Sequence, residues 1–164
     1  MSDFEKQIDD LATKLGKLAK QDNVLIAVAE SCTGGWLAQS ITSISGSSAW
    51  FERGFVTYTN IAKQEMLGVL EETLAQFGAV SKQVASEMAG GALVHSHAQI
   101  SVSITGIAGP DGGTEDKPVG TVCFAVARDN EKVISTRMVF EGDRNLVRQL
   151  AVVTALQLLI KSIS

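Results

Sequence analysis

Val24-Leu25-Ile26-Ala27-Val28-Ala29-Glu30-Ser31-Cys32-Thr33-Gly34-Gly35-Trp36-Leu37 is the stretch on which the fold turns. The continuous apolar run 24–29 reads as a short strand covered on both faces, the habit of parallel sheets flanked by helices. A polar, glycine-bearing turn follows it. Apolar positions then recur at Trp36, Leu37 and Ile41, as on one face of a helix. Strand, turn, helix is the unit of α/β architecture. In such folds ligands collect where strand ends and helix N-termini face one crevice.

On the N-terminal side, Phe4, Ile8, Leu11, Leu15 and Leu18 repeat at helical spacing, with Lys and acidic residues between them. This predicts an amphipathic helix over 3–20, slightly weakened by Gly16 and broken by Gln21-Asp22-Asn23. On the C-terminal side the serine-rich loop 43–48 leads to a strand over 50–59. One or two short helices cover 61–77, and Ser81 caps a helix running to about His95. Ile100-Ser101-Val102-Ser103-Ile104 alternates apolar and polar as a strand does, and 106–119 is a long Gly/Asp/Pro loop. Segments 121–128 and 132–140 pair as a hairpin across Asp129-Asn130-Glu131. Asp143 caps a last helix ending near Ile163. A hairpin is antiparallel, so the expected fold is α/β: a single three-layer α/β/α domain over 1–164, with a mixed sheet including a C-terminal hairpin.

The chain has 164 residues, 45% hydrophobic and 20% charged, which suits one domain with a real core. A net charge of −4 and a pI near 5.2, with no Lys/Arg cluster, argue against nucleic acid as a partner. The charged start, Met1-Ser2-Asp3-Phe4-Glu5-Lys6, is unlike a secretory leader, and no apolar run approaches a membrane span. Segment 152–160 reads as a buried helix end. The expectation is a cytoplasmic protein, with Cys32 and Cys123 as free thiols.

Four segments could carry chemistry. In the first, Ser31 and Thr33 precede a helix whose free N–H groups would favour phosphate or an oxyanion, with Gly34 allowing close approach. They would equally serve as plain helix caps. In the second, Ser48 lies upstream of Tyr58 and Lys63. A lysine with a lowered pKa can take a serine proton, so Ser48 and Lys63 form one candidate dyad. The third is the glycine loop 104–113 after a strand, where Gly106 and Gly109 let backbone amides approach a phosphate or a flat ring. In the fourth, Arg144 and Arg148 stand one turn apart near a helix start, where cations oppose the helix dipole, so an anion such as phosphate is a reason for them. Cys32, near a helix N-terminus, is a rival nucleophile with a lowered pKa. His95 and His97 read as surface residues, with no HExxH and no metal-like cysteine spacing. Walker A, GxSxG and GxGxxG patterns are absent.

Several of these stretches together resemble one family. Ala29-Glu30-Ser31-Cys32-Thr33-Gly34-Gly35, the Ser45-Gly46-Ser47-Ser48 loop leading to Gly54-Phe55-Val56-Thr57-Tyr58, Ile104-Thr105-Gly106-Ile107-Ala108-Gly109-Pro110, and Lys117-Pro118-Val119-Gly120-Thr121-Val122 are similar, in this order, to the CinA C-terminal domain family. The likeness runs from about Leu11 to the end. Larger CinA proteins carry a further N-terminal molybdopterin-binding-like domain, which this sequence lacks. The resemblance implies hydrolysis of nicotinamide mononucleotide (NMN) to nicotinic acid mononucleotide and ammonia, in pyridine nucleotide salvage, by a serine mechanism without metal or cofactor. Its implied catalytic residues are Ser31 and Ser48 as alternative nucleophiles, Lys63 as base, and Tyr58 and Thr105 as polar supports. Thr33, Gly34, Gly106, Gly109, Arg144 and Arg148 are the candidates for holding substrate. A homodimer is expected on the same ground. A regulatory nucleotide-binding module of the same fold, without turnover, is the alternative; the set Ser48, Tyr58 and Lys63 argues for the enzyme.

Overall fold

The computed structural model describes residues 1–164. Helix α1 (Asp3–Asp22) opens the chain. Its N-terminus is closed by a reciprocal pair: Ser2 Oγ accepts from the Glu5 N–H, and the Ser2 N–H donates to the Glu5 carboxylate. Asn23, in the left-handed region (φ 52°), ends it two residues beyond the stretch that periodicity marks. Strand β1 (Ile26–Glu30) and helix α2 (Trp36–Thr42) follow, then a 3-10 turn over Ser47–Ala49 and strand β2 (Phe51–Val56). Helices α3 (Asn60–Leu67), α4 (Glu71–Phe77) and α5 (Lys82–Val94) precede strand β3 (Ile100–Gly106). Strands β4 (Thr121–Arg128) and β5 (Ile134–Val139) and helix α6 (Arg144–Ile163) complete the chain.

The five strands form one mixed sheet in the order β2-β1-β3-β4-β5. β1 is parallel to both β2 and β3; β3, β4 and β5 are antiparallel in turn. Helices α1, α2 and α6 cover one face, and α5 with α3 and α4 covers the other, which is the expected three-layer arrangement. The larger core lies under α1 and α6, where Leu15, Val28, Val102, Phe124, Leu156 and Leu159 are buried. Each such side chain stabilises the fold by roughly 1.5–3 kcal/mol. α6 is long and apolar enough to cross a membrane, but its apolar positions are spent against β3, β4 and α1. Gly16 has a packing reason: a Cβ there would come within 2.9 Å of the buried Trp50 ring.

β3 is the strand that its alternation marks, and although apolar and polar residues alternate along it, both of its faces are covered. Ser101 and Ser103 point at α5 and donate to its Ala89 and Ala85 carbonyls, each at 2.6 Å. Small hydroxyls satisfied by helix carbonyls let α5 sit close on the sheet.

The chain leaves β1 towards β2 and leaves β3 towards β4, in opposite directions along the sheet. A crevice opens at such a switch point, outside the C-terminal ends of parallel strands. Ser31 follows β1 there, and its N–H donates to the Ile104 carbonyl of β3 at 3.0 Å.

Candidate active site

Side chains alternate along β1. Ile26, Val28 and Glu30 face α2 and α6, while Ala27 and Ala29 face α5. Ser31, one residue beyond Glu30, meets Lys63 of α3. Lys63 Nζ lies 3.0 Å from Ser31 Oγ and donates to the Thr57 carbonyl, also at 3.0 Å. Lys63 is 2% exposed and Ser31 8% exposed. Burial pushes the Lys63 ammonium below the ordinary lysine range, since no carboxylate offsets the lost solvation. Two contacts anchor α3 and so seat Lys63. Thr59 Oγ1 caps the helix by accepting from the Ala62 N–H, and Leu67, one turn beyond Lys63, packs on α5 at Gly91.

The turn after Ser31 is held by two charged residues. Glu30 is fully buried. Its carboxylate accepts from the Thr33 hydroxyl at 2.7 Å and from the N–H groups of Gly35, Leu37 and Ala38 at 3.2, 2.9 and 3.0 Å. Arg148 of α6 donates to the Cys32 and Thr33 carbonyls at 3.0 and 3.1 Å, with its guanidinium 5.3 Å from the centre of the Trp36 ring. The N–H groups of Cys32 and Thr33 donate to no main-chain carbonyl; Cys32 is 6% exposed and Thr33 fully buried.

Several sequence expectations change here. The structure brings Lys63 to Ser31 and not to Ser48. β1 and β2 are parallel, so the residues after them, Ser31 and Tyr58, share the C-terminal edge of the sheet. Ser48 precedes β2 at the opposite edge and is exposed. The N-terminus of α2, read as an anion site, is already filled by the Glu30 carboxylate, and the Thr33 hydroxyl is committed to it. Burial raises the Cys32 thiol to about 11 instead of lowering it; this outweighs the nearby Arg148 charge and makes Cys32 a poor thiolate. Arg148 turns its fork inward onto main-chain carbonyls. Cys32 and Cys123 are both buried free thiols.

The remaining candidates lie around the same edge. Arg144, exposed, donates to the Gly109 carbonyl at 2.8 Å and to the Tyr58 hydroxyl at 2.9 Å, so it ties the glycine loop to the end of β2. Tyr58 is 56% exposed and Thr105 is buried, its hydroxyl donating to the Ala79 carbonyl. Gly106 permits close approach: a Cβ there would meet Cys32 Sγ at 3.1 Å. Gly34 is exposed beside Arg148. The largest groove, about 510 Å³ between α1 and α2, is lined by Phe4, Ile8, Trp36 and Gln149 and contains neither Ser31 nor Lys63.

Glu30 is the residue that sequence reasoning missed. Its signal was present: an acid ending an apolar strand, ahead of a helix whose N-cap, Gly35, has no side chain to cap with. Its role depends on the chain folding back over it, which local pattern does not reveal.

Comparison with known proteins places the chain in a family. The family model for the CinA C-terminal domain matches residues 8–163. The chain is 56% identical over 155 residues to the nicotinamide-nucleotide amidohydrolase PncC of Escherichia coli (strain K12), covering 94% of each. It is 49% identical over 149 residues to the PncC of Pseudomonas putida, covering 91% of this chain and 92% of that protein. Among solved structures, the competence/damage inducible protein CihA of Agrobacterium tumefaciens matches with a TM-score of 0.94 at 48% identity, covering 98% of both chains. The chain belongs to the CinA C-terminal domain family.

Proposed function

We propose that this member of the family is an amidohydrolase that hydrolyses the carboxamide of NMN, with Ser31 as nucleophile and Lys63 as general base. Kinship with the PncC proteins, named nicotinamide-nucleotide amidohydrolases, supports the reaction class and the substrate. The observation that carries the mechanism is the buried 3.0 Å contact between Lys63 Nζ and Ser31 Oγ. A serine hydroxyl attacks only when a base accepts its proton, and a lysine serves when desolvation favours its neutral form.

Neutral Lys63 accepts the Ser31 proton as Oγ bonds to the carboxamide carbon. The carbonyl oxygen takes the charge of the tetrahedral intermediate and is stabilised by the N–H groups of Cys32 and Thr33, which have no carbonyl partner. Collapse breaks the C–N bond, and Lys63 returns the proton to the departing nitrogen, which leaves as ammonia. Water, deprotonated by Lys63, then attacks the Ser31 ester, and nicotinic acid mononucleotide leaves with Ser31 restored. Arg144, at the rim with Tyr58 and the Gly109 carbonyl, is the cation available to the 5′-phosphate. Thr105 acts at one remove, holding the segment before α5 against β3. The reading covers residues 1–164 as one domain, in the cytoplasm, as a step of pyridine nucleotide salvage.

The test is ammonia release from NMN by the purified protein, with and without EDTA. The expected result is equal release in both, with free nicotinamide and NAD hydrolysed more slowly. Loss of release with EDTA overturns the serine mechanism. NMN bound without release would favour the regulatory module.

A further inference from the structure

We propose that Glu30 and Arg148 are positioning residues that set the Ser31 turn for catalysis, one by taking its N–H groups and the other its carbonyls. The inference rests on Ser31 being the nucleophile, as read above. Neither residue touches the reacting atoms. Glu30 faces α2, on the opposite side of β1 from the nucleophile, and Arg148 reaches the turn from α6.

A fully buried carboxylate is costly unless every lone pair is used. Glu30 meets this with four donors drawn from Thr33 to Ala38, which fixes the start of α2 against the end of β1. Arg148 fixes what lies between. In a trans peptide the carbonyl and the following N–H point in opposite directions. Two hydrogen bonds from one planar guanidinium, to the Cys32 and Thr33 carbonyls, therefore set the orientation of the peptides that carry the Thr33 and Gly34 N–H groups. The Gly34 N–H closes the turn on the Ser31 carbonyl at 3.0 Å, and the Thr33 N–H is left without a carbonyl partner. Stacking of the guanidinium on Trp36 adds a third restraint from α2 itself. The result is a nucleophile and two N–H groups without a carbonyl partner, held on one turn, and such preorganisation is where oxyanion stabilisation gets its strength.

The test compares wild type with Arg148→Lys, Arg148→Ala and Glu30→Gln. For each, kcat and KM on NMN are measured, with circular dichroism melts and the rate of Ser31 phosphonylation by a small fluorophosphonate, read by mass spectrometry. Arg148→Ala is expected to lower kcat by about 10²-fold with KM within about twofold. Arg148→Lys falls between, because an ammonium cannot reproduce the fork. Guanidinium ion at millimolar concentration raises the turnover of Arg148→Ala and leaves wild type unchanged. The phosphonylation rate falls with kcat. Wild-type kcat and phosphonylation in Arg148→Ala overturn the proposal. So does activity lost only in proportion to unfolded protein, with turnover per labelled Ser31 unchanged. If Glu30→Gln does not fold, the Arg148 series decides. If wild type releases no ammonia from NMN, the functional reading fails and the phosphonylation rates alone decide the positioning role.

Discussion

Gly90 and Gly91 are neighbours on α5, and replacing each by alanine should have opposite effects. A Cβ on Gly91 would overlap the Leu67 carbonyl oxygen and lie 2.8 Å from its carbon and 3.0 Å from its Cα; a Cβ on Gly90 meets nothing within 4 Å. Carbon atoms rest at about 3.5–4 Å, so α3 must retreat by roughly 1 Å. Leu67 lies one turn beyond Lys63, so the shift reaches Lys63 Nζ, whose 3.0 Å contact with Ser31 is the core of the proposed mechanism. A misplacement of that size costs about 10² in rate. Overpacking costs about 1–3 kcal/mol, and at about 2–4 °C per kcal/mol for a chain of this size Tm falls by roughly 2–12 °C. Gly90→Ala, in contrast, gains about 0.8–1 kcal/mol of helix propensity, so its Tm rises by about 2–4 °C and its kcat is unchanged. The assays are ammonia release from NMN and a thermal melt followed by circular dichroism. If Gly91→Ala keeps wild-type kcat and melts like Gly90→Ala, the contact between α3 and α5 does not seat Lys63, and the reasoning fails.

In the proposed mechanism Lys63 serves as base only when neutral, and burial lowers its pKa below 10.5. A pH series should therefore show kcat/KM rising with pH through that lowered value, with an acid limb that Lys63→Arg abolishes along with about 10²–10⁴ of the rate. The unfolded chain holds the Lys63 proton more tightly, so stability rises with pH between the folded and unfolded values; denaturant titrations should show Lys63→Met flattening that rise. Ser31→Ala should abolish turnover while Ser48→Ala retains it within about twofold, because only Ser31 has a base in reach; equal loss in both would contradict the geometry. With its thiol at about 11, Cys32 should resist iodoacetamide near neutral pH, and peptide mapping of the treated, still active protein should find it unmodified.

The fold was legible in the sequence because its signals are local. The apolar run before Glu30, the helical spacing of Phe4, Ile8, Leu11, Leu15 and Leu18, and the caps Ser81 and Asp143 each act over a few residues, and each marks an observed element. The motif around Ser31 was legible too, since strand, glycine turn and helix lie together in the chain. The partners of its residues were not. Ser31 and Lys63 are 32 positions apart, and Arg148 is 116 positions from Cys32. Local pattern offered Lys63 one serine, Ser48, and family resemblance a second, Ser31; the parallel pairing of β1 and β2 put Ser31 at the edge Lys63 reaches and Ser48 at the far edge. The start of α2 reads as open to an anion, and folding filled it with Glu30. A place near a helix start implies a lowered pKa for Cys32, and burial under the turn reversed the sign. Periodicity and capping are set by neighbours in the chain, so the sequence alone determined the elements and their layers. Proton affinity, desolvation and contact are set by neighbours in space, so only the tertiary structure decided which of the candidate residues meet.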